Sequence, residues 1–161
     1  MTVKAVALIC CAMGLASAAS AQVLREPNVS LAMANTIALT AIQSCKAAGF
    51  DVSVTVVTRA GDIRTMMRND AANPHNAELA RRKAYTALTY RMTSLQFRDR
   101  SATPEFSGQR LLETVIPLGG GVPIRLGDDV IGGVGVSGSP QQEQDEKCAL
   151  AGIEAVKAQL R

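Results

Sequence analysis

A run of glycines inside a β-branched segment constrains the fold of this chain more than any other sequence feature. Val130–Ser137 is rich in valine, isoleucine and glycine, and Gly133, Gly135 and Gly138 recur at the spacing G-x-G-x-x-G. A dinucleotide site with that spacing needs a strand before the glycines, a helix after them and another parallel strand beyond. Here the glycines lie within the strand, and a single helix follows. They therefore indicate that a packed helix or a ligand approaches the backbone of this strand closely.

Hydrophobic periodicity along the rest of the chain predicts the order α-β-β-α-α-β-β-β-α. This is an α+β fold in which helices pack on an antiparallel sheet of about five strands. Turn residues at Arg59–Asp62 and Gly127–Asp129 join two pairs of strands into hairpins. The five predicted strands are Val52–Thr58, Ile63–Arg68, Val115–Pro117, Val122–Leu126 and Val130–Ser137.

Capping residues predict where the helices begin and end. Gly49 is a stop signal for the first helix, and Pro74 suits the first position of the second helix, which should run to about Leu88. Gln142 follows Ser139 by three residues, the spacing of a capping box at the last helix. The predicted caps of the four helices are Ser30, Asn73, Ser94 and Ser139.

The first residues have the pattern of a cleavable export signal. Lys4 is followed by the uncharged apolar run Ala5–Leu15, and Ala19-Ser20-Ala21 then supplies small residues for cleavage before Gln22. The alternative is a membrane anchor, which needs about 20 consecutive apolar residues, and this run is shorter. We therefore predict a signal peptide at residues 1–21, a single domain at 22–161, and a periplasmic or secreted protein without stable membrane insertion.

Cleavage would leave two of the four cysteines, Cys45 and Cys148. An even pair in an oxidising compartment predicts one disulfide. The alternative is that both are buried thiols that pack as small hydrophobic residues.

Composition excludes several classes of function. The formal net charge is only +3 and aromatic residues make up 3% of the chain, which argues against nucleic acid as a partner. A single histidine cannot build a typical zinc site. The chain also lacks the G-x-S-x-G elbow of a serine nucleophile, so no catalytic residue is predicted. These observations indicate an exported domain that binds a small molecule.

Several segments, in this order along the chain, resemble the GlcG/HbpS family and the similar C-terminal domain of PduO-type proteins. The resemblance implies a profilin-like antiparallel sheet flanked by helices, homo-oligomers and, for some exported members, haem binding with roles in haem or iron sensing. The segments that carry it are Val52–Val57 with Ala60-Gly61, Arg82–Ala87, Gly120–Ile124, Val130–Gly138 and Asp145–Ala149.

The resemblance makes haem the expected cofactor and suggests residues that could bind it. His75 is the candidate axial ligand of the haem iron, with Tyr85 as the second possibility. Lys83 and Arg68 are candidate partners of the propionates. A surface histidine and a solvated basic helix face are the structural alternatives.

We therefore predict an exported haem-binding or haem- and iron-sensing accessory protein without catalytic activity. One alternative is a binder of another small molecule or a corrinoid, or an accessory subunit of a metabolic system. The second is an enzyme of unassigned chemistry.

Overall fold

The fold is built on one antiparallel sheet with the strand order β2-β1-β4-β3. The structure, a computed structural model, describes residues 22–160. The predicted export signal at residues 1–21 lies outside this part of the chain. The elements are α1 (Leu31–Ala47), β1 (Ser53–Thr58), β2 (Ile63–Arg68), α2 (His75–Tyr90), α3 (Ser94–Arg100), β3 (Gly121–Leu126), β4 (Asp129–Ser137) and α4 (Gln142–Glu154), with short 3-10 turns at Ser107–Leu111 and Lys157–Gln159.

The α+β class and both hairpins are confirmed, but the sheet described has four strands rather than about five. The segment predicted as a strand at Val115–Pro117 is not one, because α2 binds its backbone groups instead. The Arg82 guanidinium donates to the Val115 carbonyl at 2.6 Å, and the Ile116 N–H donates to the Thr86 hydroxyl at 2.9 Å. With these groups satisfied by side chains, the segment has no need of a neighbouring strand.

The glycines of β4 let α2 lie close against one face of the sheet. A β carbon on Gly133 would overlap the carbonyl oxygen of Ala84, and one on Gly135 would overlap that of Ala80. Of the two sequence-based possibilities, a packed helix is thus the one that the structure shows at these two positions.

The other face of the sheet carries the main hydrophobic core under α1 and α4. Side chains alternate between faces along a strand, so Val54 and Val136 point to this side, where they pack with Ile37. The predicted disulfide Cys45–Cys148 is present and joins α1 to α4, with the two Cα atoms 5.5 Å apart. The two helices that flank the core are therefore covalently linked.

The helix ends follow the predictions in part. The Ser30 side chain accepts from the Met33 N–H at 3.2 Å, so the first cap is confirmed. The cap predicted at Asn73 is wrong, because α2 begins at His75 without a side-chain cap, although Pro74 already has helical dihedral angles. This helix also continues to Tyr90, beyond its predicted end.

Two further caps differ from the prediction. Thr93 rather than Ser94 caps α3, and it forms a capping box with Gln96. The capping box predicted between Ser139 and Gln142 is wrong, because Ser139 pairs with Asp145 instead. Within residues 22–160, no helix combines the length and apolarity needed to span a membrane.

Candidate functional site

A cavity of about 310 Å³ opens where α2 and α4 begin and β4 ends. The first turns of α2 and α4 and the connection after β4 form its walls. Lys83, farther along α2, and Leu118, just before β3, also line it. The remaining lining residues are Asn73, His75, Asn76, Leu79, Ser137, Gly138, Ser139, Pro140, Gln142 and Asp145.

His75 is the first residue of α2 and lines this cavity. Its side chain is exposed, as expected for the junction between a loop and a helix. An imidazole nitrogen is a common ligand of transition metals and of haem iron. His75 is therefore accessible to a ligand that enters the cavity from solvent.

Lys83 and Asp145 form a buried ion pair that also lines the cavity. Lys83 Nζ donates to Asp145 Oδ2 at 2.8 Å and to the Val136 carbonyl at 3.0 Å. The two side chains are only 4% and 2% exposed. Burial lowers the pKa of Lys83, and the attraction of Asp145 offsets this only in part. Since an ammonium has three donors, one N–H is left over from these two bonds for a ligand oxygen.

The second oxygen of Asp145 fixes the connection between β4 and α4. Asp145 Oδ1 accepts from the Ser139 backbone N–H at 3.0 Å and lies 2.7 Å from the Ser139 hydroxyl. Both oxygens of the carboxylate are thus hydrogen-bonded, as a buried charge requires. This arrangement holds the lining residues that follow β4.

Tyr85 lies in a second, separate cavity of about 250 Å³ at the other end of α2. Its ring packs on the turn between β1 and β2, where Gly61 leaves room for it. Arg68 is exposed on the edge strand β2 and lines neither cavity. The residues that line the second cavity are Arg59, Ala60, Tyr85, Leu88, Thr89, Arg91 and Val130.

The structure therefore brings His75 and Lys83 together and places Tyr85 and Arg68 elsewhere. Sequence reasoning assigned Asp145 no role in the site, although Asp145 begins one of the segments that carry the family resemblance. Within residues 22–160, no three histidine, cysteine, aspartate or glutamate side chains cluster as a metal site would require.

Comparisons with known proteins agree on one family. A family model described as "Haem degrading protein HbpS-like" matches residues 29–154. An uncharacterised 15.0 kDa protein of Citrobacter freundii is 31% identical over 135 residues, which cover 79% of this chain and 91% of that protein.

Solved structures show the same fold. A double mutant of HbpS from Streptomyces reticuli is 28% identical, with a TM-score of 0.79 over 88% of this chain and 97% of that one. The protein ORFY of Klebsiella pneumoniae is 25% identical, with a TM-score of 0.79 over 88% and 99% of the two chains. A PduOC complex with haem is 27% identical, with a TM-score of 0.72 over 78% and 93%.

Proposed function

Because the chain belongs to the HbpS-like family, we propose that it binds haem at the cavity beside His75 and has no catalytic role of its own. The haem in the similar PduOC structure supports this choice of ligand. The observation that carries the proposal is the position of His75. The single histidine of the sequence lines the larger of the two cavities described above and is open to solvent.

The cavity fits part of a haem. Pockets that enclose small ligands have volumes of about 300–1,000 Å³, so a cavity of about 310 Å³ would hold one edge of a porphyrin while the rest stays at the surface. Leu79, Leu118 and Pro140 offer apolar contacts to the ring. Bound haem would supply an iron centre that accepts a nitrogen ligand, and His75 would provide that nitrogen.

Lys83 has a different role from the one that a free surface lysine would have. Its ion pair with Asp145 already uses much of its charge, so a propionate would receive only its remaining N–H. Arg68 is exposed on β2 and does not line this cavity, so it would contact the propionates only if the haem extended beyond the cavity.

Titration with hemin tests the proposal. We expect the native protein to shift the Soret band saturably, His75→Ala to lose that shift, and added imidazole to restore it in the variant. Tyr85→Phe is the matched control, because Tyr85 is the second candidate ligand and lies in the other cavity. If Tyr85→Phe lost the Soret shift and His75→Ala kept it, Tyr85 rather than His75 would be the axial ligand. No saturable shift in the native protein would reject haem binding.

We also propose that the protein is exported and forms homo-oligomers. The signal pattern at residues 1–21 and the family resemblance support these two points. N-terminal sequencing of protein from its native compartment should begin at Gln22, and light scattering should give a multiple of the chain mass. A protein that retains Met1 or scatters as a monomer would contradict the respective point.

A further inference from the structure

The cavity at the C-terminal end of α2 has features of a second binding site, independent of the haem proposal. We propose that it binds an oxyanion, the carboxylate or phosphate group of a small molecule, through Arg59 and Arg91. His75 and Tyr85 are ten residues apart on α2, which is about 15 Å along a helix axis. An anion held beside Tyr85 would thus be well separated from a ligand held by His75.

The chemistry of the lining points to an anion. Arg59, Arg91, Tyr85 and Thr89 all bring hydrogen-bond donors to the cavity, and none of its lining residues is an aspartate or glutamate. A guanidinium presents its N–H groups in a planar fork that matches the two oxygens of a carboxylate or phosphate. Two such groups around a cavity of about 250 Å³ would suit one oxyanion group of a small ligand.

Arg59 is held beside the cavity by several contacts. Its Nη1 atom is buried and has no hydrogen-bond partner within residues 22–160. Its Nε lies 3.6 Å from Glu26, while its backbone N–H donates to Asn28 at 3.1 Å and holds the residue in place. A buried charged donor without an acceptor costs free energy. Glu26 is partly exposed and neutralises only part of the positive charge of Arg59, so an oxyanion in the cavity would still be attracted to this side chain.

Arg91 lies at the rim in a constrained backbone conformation. It follows the last residue of α2 with a φ of 54°, in the left-handed region that few non-glycine residues adopt. Arg125 donates to its carbonyl oxygen and thereby holds this segment. The C-terminal end of a helix carries about half a negative charge, which disfavours an anion. The positive charge of the two guanidinium groups exceeds this partial negative charge, so the cavity still favours an anion.

Tyr85 closes the cavity from the helix side. Its ring lies against Gly61, where a β carbon would come within 2.7 Å of the ring. This packing limits the positions that the phenol can adopt, and its hydroxyl adds an uncharged donor to the site. The oxyanion group could be the carboxylate of a small acid or the phosphate of a small ester, since both present oxygens that a guanidinium can bind.

Isothermal titration with inorganic phosphate and with acetate, at constant pH and ionic strength, tests the site. We expect saturable binding of at least one probe, and a loss of about tenfold or more in affinity in Arg59→Gln and in Arg91→Gln. Arg68→Gln is the matched control, because Arg68 is an exposed arginine that lines neither cavity, and it should leave the affinity unchanged.

Two results would overturn the proposal: no saturable binding of either probe, or equal affinities in Arg59→Gln and Arg68→Gln. Tyr85→Phe removes only one hydroxyl and should weaken binding even if the arginine variants fold poorly. His75→Ala should bind the probes normally, so failure of the haem proposal would leave this one standing. Saturating hemin should leave phosphate binding unchanged, and competition between the two would contradict a separate oxyanion site.

Discussion

Lys83 and Asp145 belong to helices on opposite faces of the sheet and meet at 2.8 Å at its end, where both are buried. Gly120 makes the contact possible, since a β carbon there would come within 2.7 Å of the Asp145 side chain and 3.2 Å of Lys83 Nζ. The pair ties α2 and α4 to the end of β4, through Val136 and Ser139. It therefore fixes the geometry of the cavity that contains His75.

Lys83→Met should destabilise the protein strongly, because it leaves the Asp145 carboxylate buried without its counter-charge. Breaking one partner of a buried pair costs about 3–5 kcal/mol. Lys157→Met is the matched control, since Lys157 pairs with Glu154 at 2.9 Å on an exposed surface, where a pair contributes about 0–1 kcal/mol. The free energy of unfolding in urea measures both. Equal losses in the two variants would contradict this role of the pair.

The Lys83–Asp145 pair also predicts that substitutions of its two residues have non-additive effects on the free energy of unfolding. Once Lys83 is replaced, Asp145→Asn removes the unpaired charge and should recover part of the lost stability, whereas alone it is destabilising. A double-mutant cycle in urea gives the coupling free energy directly. A coupling close to zero would show that the two side chains do not stabilise one another.

Removal of the Cys45–Cys148 disulfide should lower the free energy of unfolding by about 2–5 kcal/mol. The bond closes a long loop, with a sequence separation of 103, and so restricts the unfolded chain substantially. Cys45→Ser/Cys148→Ser should show this loss, and a reducing agent should destabilise only the native protein. Peptide mapping without reduction should recover the two cysteines in one linked fragment, and separate fragments would contradict the bond.

Gly135→Ala should destabilise the protein by about 1–3 kcal/mol or more, because the new methyl group would overlap the Ala80 carbonyl and push α2 away from the sheet. Gly108→Ala is the control, since a β carbon at Gly108 meets no atom within 4 Å. This substitution at an exposed position should change the free energy of unfolding by no more than about 0.5 kcal/mol. Thermal or urea unfolding measures the stability of both variants, and similar losses in Gly135→Ala and Gly108→Ala would argue against close packing at Gly135.

Local sequence signals predicted much of the fold. Turn residues at Gly61 and Gly127 determine hairpins between neighbouring segments, and both glycines have the positive φ that such turns use. Such local signals could not exclude the fifth strand that was predicted at Val115–Pro117. Whether Val115 pairs with a strand or with Arg82 depends on where α2 lies, which is a contact between segments distant in sequence.

The candidate site was less predictable for the same reason. Helical geometry alone indicates that Lys83 and Tyr85, two residues apart, point to opposite sides of α2, and the structure places them in different cavities. The separation of Lys83 from Tyr85 could therefore be predicted from the sequence. The pairing of Lys83 with Asp145 could not be predicted, because the two residues meet only once the sheet has brought α2 and α4 to the same end of β4.

Glu146→Gln should stabilise the protein more at about pH 7 than at about pH 4. Burial raises the pKa of Glu146, and one of its carboxylate oxygens is buried without a partner within residues 22–160. The folded protein therefore holds this proton to a higher pH than the unfolded chain does. Stability is lost as the pH rises from the ordinary glutamate range through the raised pKa.

Glutamine removes that loss because it stays uncharged. Glu105→Gln, at an exposed position, is the control. Urea unfolding of the three proteins at both pH values measures the effect. A gain for Glu146→Gln that is equal at the two pH values, or larger at the lower one, would show that the carboxylate is not penalised by its burial between α3 and α4.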